Sequence, residues 1–504
     1  MSNTEAFRNI IEEGYQCKGD AIIVGAAMLD NSPLTNAHVK IPLKTLNRHG
    51  LIAGATGTGK TKSLQVLAEQ LSQKGIPVLL MDVKGDLSGL AAAGKPHPKI
   101  DERMSHIGLE FEPKKFPVEI LSLSQQKGVR LRATVSEFGP VLLSRILDLT
   151  ETQQGIVAVI FKYCDDQNLP LLDLKDFKKL LQYATDVGKD EFQENYGRIS
   201  TASTGAILRK IIELEQQGAE LFFGERSFEV EDLTRIDENG MGMINILRLT
   251  DIQDRPKLFS TFMLSLLAEI YAKFPEKGDS ERPELVLFID EAHLVFNEAS
   301  DALLDQINSV IKLIRSKGIG VYFVTQNPSD IPDDVLSQLG LKVQHALRAF
   351  TAKDRKDIKL TAQNYPLSDF YDTAEVLTAL GTGEALITAL DEKGRPTPLA
   401  ATLMRAPESR MDILSAEELD ILINNSKLIE RYNEVIDRES AYEILTEKIK
   451  VAQSEEIQEK ARKERDKMNK TTTRRSTRMN PIVKVLTSAT FIRGVMGILT
   501  KAMK

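Results

Sequence analysis

The segment from Gly54 to Thr61, Gly-Ala-Thr-Gly-Thr-Gly-Lys-Thr, constrains this chain more than any other. It has the form G-x-x-x-x-G-K-[ST], in which the glycines let the backbone wrap with its N–H groups pointing inward at a phosphate. Its neighbours supply the context such a loop requires. HGLIA (49–53) before it is apolar and of strand length. After it, Leu64, Leu67, Ala68 and Leu71 recur at helical spacing, with Gly75 as the stop. PVLLMDV (77–83) is then a continuous apolar run. Strand, helix and strand make a βαβ unit, so these strands should be parallel and buried on both faces. In that setting Gly54, Ala55, Thr56, Gly57, Thr58 and Gly59 cradle the phosphates of a nucleotide. Lys60 places a point charge at the β- and γ-oxygens, Thr61 offers a hydroxyl to Mg2+, and the helix N-terminus adds its positive dipole end.

A second apolar run, LVLFI (285–289), ends in Asp290 and Glu291. A carboxylate at the end of a buried strand is costly unless it faces a cation or water. Beside a phosphate loop, Asp290 is expected to hold Mg2+ and Glu291 to orient or deprotonate the attacking water, which makes the expected reaction ATP hydrolysis. Asp82, at the end of the strand after the loop helix, is expected as an accessory Mg2+ or water contact. Gln326 ends GVYFVTQ and is placed to hydrogen-bond the γ-phosphate or the catalytic water. Arg348 closes the strand-like run KVQHALR, and Arg355 follows in the loop TAKDR. Either could stabilise transition-state charge, in its own subunit or in a neighbour's. His49, His293 and His345 are isolated and lack metal-ligand spacing, so no zinc site is expected.

Around these motifs the chain of 504 residues divides into a short N-terminal segment with strands (1–46) and the first part of an α/β core (47–137). A helical insertion (138–236), the second part of the core (237–410) and a helical, basic C-terminal extension (411–504) follow. AIIVG (21–25) reads as a strand, NSPLTNA (31–37) as a turn, and the stretch from about 416 to 470 as helix. The net charge of −7 is uneven: residues 460–504 carry thirteen Lys and Arg against two acids, a local +11 that leaves −18 for the rest. An acidic body with a basic tail implies that the tail has its own partner. The tail's last segment, 481–504, has apolar residues at i, i+3, i+4, i+7 spacing, the pattern of an amphipathic helix. That helix would dock on the protein or a neighbouring subunit rather than on lipid. Two cysteines, no basic and apolar leader and no run of 18 apolar residues point to a cytoplasmic location without a membrane span.

The motifs HGLIAGATGTGKT, MDVKGDLSG, LFIDEAH, VTQNPSDIPDDVLSQLG with the following HALR, and GTGEALI, in this order and spacing, resemble the HerA-like branch of the HerA–FtsK group of ring-forming P-loop ATPases. The resemblance is to a bacterial HerA-like family and extends over about residues 20–500. It implies a RecA-like P-loop NTPase core with a mainly parallel sheet, a helical insertion and a helical C-terminal extension. It also implies a hexameric ring with ATP sites between subunits. By motif it assigns Lys60 and Thr61 to phosphate and Mg2+, Asp290 and Glu291 to the Mg2+ and catalytic pair, Gln326 to a sensor and Arg348 to an arginine finger. DNA is the implied substrate; a translocated protein, or a scaffold role at a membrane surface through the last helix, are the alternatives. Archaeal members carry a β-barrel before the P-loop that seats a nuclease, and the residues ahead of Gly54 are too few for that barrel in full.

Overall fold

The computed structural model describes residues 2–252, 255–278, 280–296, 301–434, 436 and 438–472. Met1–Ile444 form one compact unit and Leu445–Lys504 a second.

The first unit is built on one sheet of twelve strands: β1 (Ala21–Leu29), β2 (Ser32–Pro42), β3 (Gly50–Ala53), β4 (Val78–Asp82), β5 (Val118–Ser122), β6 (Val129–Arg130), β7 (Ile244–Arg248), β8 (Leu285–Ile289), β9 (Ile319–Thr325), β10 (Leu341–Gln344), β11 (Glu384–Thr388) and β12 (Ala400–Met404). Their spatial order is β2-β1-β12-β11-β10-β3-β9-β8-β4-β7-β5-β6. From β10 to β6 every neighbouring pair is parallel, while β2, β1, β12 and β11 extend the sheet in antiparallel fashion. β3, β4, β8 and β9 are buried at every residue, which is why they appear in the sequence as unbroken apolar runs rather than alternations.

β3 and β4 are parallel members of this sheet, joined by the helix over Lys60–Gln73, but they are not neighbours. β9 and β8 lie between them, with Ile52 of β3 opposite Val324 and Phe288 of β8 opposite Leu80 of β4. The C-terminal ends of β3, β9, β8 and β4 therefore stand side by side. In an open parallel sheet that is the edge where ligands bind.

The helices in chain order begin with α1 (Asn3–Gly14), α2 (Lys60–Gln73) and α3 (Pro98–Ile107). Five more, α4 (Val135–Ile146), α5 (Glu151–Gln167), α6 (Leu174–Thr185), α7 (Lys189–Asn195) and α8 (Thr201–Gln216), form the helical stretch between β6 and β7. α9 (Pro256–Lys273), α10 (His293–Phe296), α11 (Asp301–Ile314), α12 (Asp333–Leu336), α13 (Ala352–Gln363) and α14 (Thr373–Ala379) alternate with the later strands. The region from 416 divides into Ala416–Asn424, Ile429–Tyr432 and Ala441–Thr472. Within the second unit the described helix is exposed from Gln453 to Lys467 and carries Glu456–Lys460 and Glu459–Lys463 pairs at i, i+4. The amphipathic segment expected over 481–504 lies outside the described residues. Among the described residues no helix is long and apolar enough to cross a membrane.

Two local expectations are corrected. Residues 31–37 are not a turn: all but Asn31 belong to β2, which pairs with β1 from Leu29–Ser32 onward. The turn is confined to Asp30 and Asn31, with φ of 51° and 58°. Two left-handed residues between paired strands make the tight hairpin whose twist matches that of the strands. Arg355 is not in a loop but in the first turns of α13, because Thr351 and Asp354 cap that helix reciprocally.

Behind the ligand edge, α2 holds the segment that follows β12. Glu69 accepts the backbone N–H groups of Glu408 (2.8 Å) and Ser409 (3.0 Å), and the Gln65 side-chain amide donates to the Arg410 carbonyl at 2.9 Å. Burial raises the Glu69 carboxyl to about 7 against these hydrogen bonds, which favour its charged form.

Candidate active site at the ends of four parallel strands

The phosphate loop leaves β3 at Gly54, whose φ is 149°. A Cβ there would lie 2.5 Å from the Cβ of His345, so only glycine fits. The loop ends at Gly59, φ 115°, the residue that caps α2. Lys60 is buried and turns its ammonium back onto the loop, donating to the Gly54 and Ala55 carbonyls at 2.6 and 3.1 Å. Burial, and then the neighbouring Lys84 ammonium, push its pKa below the ordinary lysine value. The Thr58 hydroxyl donates to the Ala55 carbonyl at 2.7 Å, which tightens the loop from within.

Asp290 and Glu291 follow β8 directly and are both buried. Glu291 has φ 47°, the left-handed region that non-glycine residues rarely adopt. Strain of about 1–3 kcal/mol persists where the surroundings enforce it, and it clusters at functional sites. Lys84, two residues beyond β4, places its ammonium 2.6 Å from Glu291 Oε1 and 3.9 Å from Asp290 Oδ2. The effects on the two acids are opposite. Burial is the largest influence on Glu291 and opposes its charge, but the hydrogen bond and charge of Lys84, with Gln326 and His293, together outweigh it and the pKa falls. For Asp290 burial dominates and carries the carboxyl up to about 7, with Lys84 only partly offsetting it. Glu291 Oε2 is buried and accepts no hydrogen bond of good geometry among the described residues, and its neighbour is the His293 ring, with Nδ1 3.2 Å away.

Gln326 stands one residue past β9 and joins the loop to the acids. Its carbonyl oxygen accepts the Thr56 hydroxyl at 3.2 Å, and its amide donates to Glu291 Oε1 at 3.4 Å. Thr56, Gln326, Glu291 and Lys84 thus form one hydrogen-bonded chain across the ends of β3, β9, β8 and β4.

Other predicted residues lie elsewhere or act differently. Asp82, expected as an accessory contact, uses its carboxylate to accept the backbone N–H groups of Gly85 (2.7 Å), Asp86 (3.2 Å) and Leu87 (3.2 Å). Burial and the nearby Asp86 raise it to about 6 even so. Asp82 therefore organises the loop that carries Lys84. Arg348 does not close a strand, since β10 ends at Gln344. Arg348 is exposed and donates to the Thr378 carbonyl of α14 at 3.2 Å. Two exposed lysines follow Lys84 in the chain, Lys95 just before α3 and Lys99 in its first turn.

Three supporting residues escaped the sequence reading. His345 is buried, with Nδ1 2.8 Å from the Glu384 carbonyl and Nε2 2.9 Å from the Ser63 hydroxyl. Burial lowers its pKa to about 4, so the ring is neutral. A carbonyl only accepts, so Nδ1 carries the proton and Nε2 accepts from Ser63, one turn into α2. Arg103 of α3 donates to the carbonyls of Gly383, Thr382 and Met404. Gly383 in turn donates its backbone N–H to the Thr58 carbonyl at 2.9 Å. The GTG segment 381–383 is thus a brace behind the phosphate loop.

The sequence profile described as Helicase HerA-like C-terminal matches residues 28–502. The chain belongs to this HerA-like family. The DNA double-strand break repair helicase HerA of Sulfolobus acidocaldarius is 23% identical over 369 residues, covering 70% of this chain and 64% of that protein. HerA of Saccharolobus solfataricus is 25% identical over 358 residues, with the same coverage of 70% and 64%. The DNA import protein CedB of Sulfolobus acidocaldarius is 26% identical over 359 residues, 71% of this chain and 52% of that protein. The chain thus spans less than two thirds of the length of these HerA-like relatives. Among solved structures, the unbound bacterial conjugative coupling protein TrwBdeltaN70 superposes with a TM-score of 0.52 at 16% identity, covering 81% of this chain and 94% of that one. TrwB in complex with a non-hydrolysable ATP analogue gives 0.50 at 16% identity, covering 79% and 99%. These likenesses establish a RecA-like P-loop fold for this HerA-like chain.

Proposed function

We propose that this chain is an ATP-hydrolysing motor of the ring-forming kind that acts on DNA. The observation that supports it most is the convergence of Lys60, Asp290, Glu291 and Gln326 at adjacent strand ends, with both Glu291 carboxylate oxygens buried there and held beside Lys84 and His293. The residues suit the nucleotide and its metal. The loop 54–59 turns through positive φ at Gly54, Gly57 and Gly59, so its amides can gather round phosphate oxygens. Thr61 and Asp290 are oxygen donors of the kind Mg2+ prefers. When bound, Mg2+ would neutralise charge on the phosphates.

In this reading Lys60 binds the phosphates. Glu291, kept charged by its surroundings and strained toward the site, positions and polarises a water molecule. Gln326 ties that carboxylate to the phosphate loop. Arg348 is exposed rather than turned into its own site, which suits a residue delivered to a neighbouring subunit in a hexameric ring. DNA as substrate draws on the HerA and CedB relatives, and a cytoplasmic location follows from that role.

The test is ATP turnover with and without DNA for wild type, Lys60→Ala and Glu291→Gln. Both variants are expected to lose at least about a hundredfold in turnover, since a positioned acid–base group contributes about 10²–10⁴. Glu291→Gln should still bind ATP. Wild-type turnover by Lys60→Ala overturns the site. Turnover that never responds to DNA at low salt overturns DNA as the substrate.

A further inference from the structure

Lys84 is a second lysine in a site for which one lysine suffices to bind phosphate. Its ammonium contacts Glu291 Oε1 at 2.6 Å, the oxygen that also receives the Gln326 amide. The partners differ in freedom: the Lys84 side chain is 36% exposed, whereas those of Asp290 and Glu291 are each 8% exposed. The carboxylates are fixed by strand ends and by the strained backbone at Glu291. The lysine stem reaches in from the solvent side and can pivot. Its backbone cannot, because the Asp82 carboxylate gathers three amides of the loop and Gly85 turns it at φ 78°. A Cβ at Gly85 would lie 2.9 Å from Thr250 Cγ2, so the loop is closed from that side as well. A fixed backbone carrying one mobile cation, beside two fixed carboxyl groups and a phosphate loop, is the arrangement of a contact that exchanges partners.

We propose that Lys84 exchanges the Glu291 carboxylate for the γ-phosphate of a bound nucleoside triphosphate, and so senses the third phosphate and frees Glu291 for water. The inference rests on the nucleotide site proposed above and adds a residue to it. While the ammonium sits on Glu291 it offsets the carboxylate's charge and lowers its pKa, which makes the acid a weaker base toward water. A γ-phosphate oxygen offers the ammonium a second anion within the reach of its four-carbon stem. The proximity of Lys60 favours the move, since two ammoniums near one another are relieved by a shared anion. A diphosphate provides no such anion and leaves Lys84 on Glu291. Lys84 would then contribute to triphosphate binding and to turnover but not to diphosphate binding, whereas Lys60 contributes to all three.

The experiment measures binding of a fluorescent ADP and of a fluorescent non-hydrolysable ATP analogue, together with kcat and KM for ATP, in wild type, Lys84→Met, Lys84→Arg and Lys60→Ala. Lys84→Met keeps the stem and removes the charge. It is expected to weaken the triphosphate analogue about tenfold or more while leaving ADP affinity unchanged, the loss of one charge-assisted hydrogen bond. Its kcat should fall about tenfold or more, and Lys84→Arg should restore most of both. Lys60→Ala should weaken both nucleotides. An unchanged triphosphate-to-diphosphate preference in Lys84→Met, with wild type binding both nucleotides, overturns the role of Lys84 alone. Wild type that binds neither nucleotide overturns the proposed nucleotide site and this inference with it. A Lys84→Met protein that loses ADP binding in parallel also overturns it, since that is the behaviour of a structural residue.

Discussion

Asp82→Ala should loosen one loop and leave the rest of the sheet intact. The Asp82 side chain is buried at the end of β4 and accepts three backbone N–H groups, those of Gly85, Asp86 and Leu87. Hydrogen bonds to a charged acceptor are worth about 1.5–3 kcal/mol each. The low end applies here, because two of the three bonds are only part-buried. Losing all three therefore costs about 4 kcal/mol of local stability, roughly a thousandfold increase in loop opening. Asp82→Asn keeps an oxygen for Gly85 and Asp86 and sets its NH2 against the Leu87 amide. Its cost is about 2 kcal/mol, roughly a thirtyfold increase. Hydrogen–deuterium exchange of a peptide over residues 82–90, with one from α6 (Leu174–Thr185) as reference, measures both values. Turnover should fall in the same order, since the loop carries Lys84. Exchange in the alanine variant within about threefold of wild type would refute the reasoning. Unchanged exchange with a lost Mg2+ requirement would restore Asp82 to the metal site.

Two further outcomes test other parts of the structure. Arg348→Ala and Glu291→Gln should each be inactive alone. If the exposed Arg348 serves a neighbour's site, mixed assemblies of the two variants should regain a measurable fraction of wild-type turnover, and mixtures that stay inactive argue against delivery between subunits. Glu69 has a folded-state value of about 7 against an ordinary 4.5, so the folded protein holds a proton that the unfolded chain has released. Its contribution to stability is full below about 4.5 and is lost as pH rises to about 7. Relative to Glu69→Gln, wild type should lose about 1.4 kcal/mol per pH unit across that window in chemical denaturation, and a pH-independent difference would be the contrary result.

The parts of the site visible in the sequence are those whose chemistry is local. Gly54–Thr61 could be read because the spacing of glycines, lysine and threonine is dictated by one phosphate group. β8 and β9 could be read because strands buried on both faces leave apolar runs, and Asp290 and Gln326 stand where those runs end. What depends on non-local pairing was hidden. The chain from 54 to 82 gives no sign that β9 and β8, more than two hundred residues later, lie between β3 and β4. Lys84 follows β4 in a loop, and it is that insertion that places Glu291 beside it. His345 is isolated in sequence, and its partners Ser63 and Glu384 come from a helix and a strand far away along the chain. Two misreadings were avoidable in principle. Asp30-Asn31 is a hairpin-turn pair, and Thr351-x-x-Asp354 is a helix start.

The placement of Lys84 also bears on how an acidic body could handle DNA. Residues before 460 carry a net −18, so any strand must meet positive charge that is concentrated rather than average. Lys84, Lys95 and Lys99 all follow β4 within a short stretch of chain. The Lys84 ammonium is held by Glu291 and so is not free for a strand. Lys95 and Lys99 remain exposed at the start of α3, the helix whose Arg103 grips the GTG brace behind the phosphate loop. A strand contact at Lys95 and Lys99 would then connect mechanically, through Arg103, Gly383 and Thr58, to the backbone that surrounds the phosphates. If the chain acts on DNA as proposed, the basic residues that matter are those joined by hydrogen bonds to the phosphate loop. Net charge, which describes the whole surface, is the wrong quantity by which to judge them.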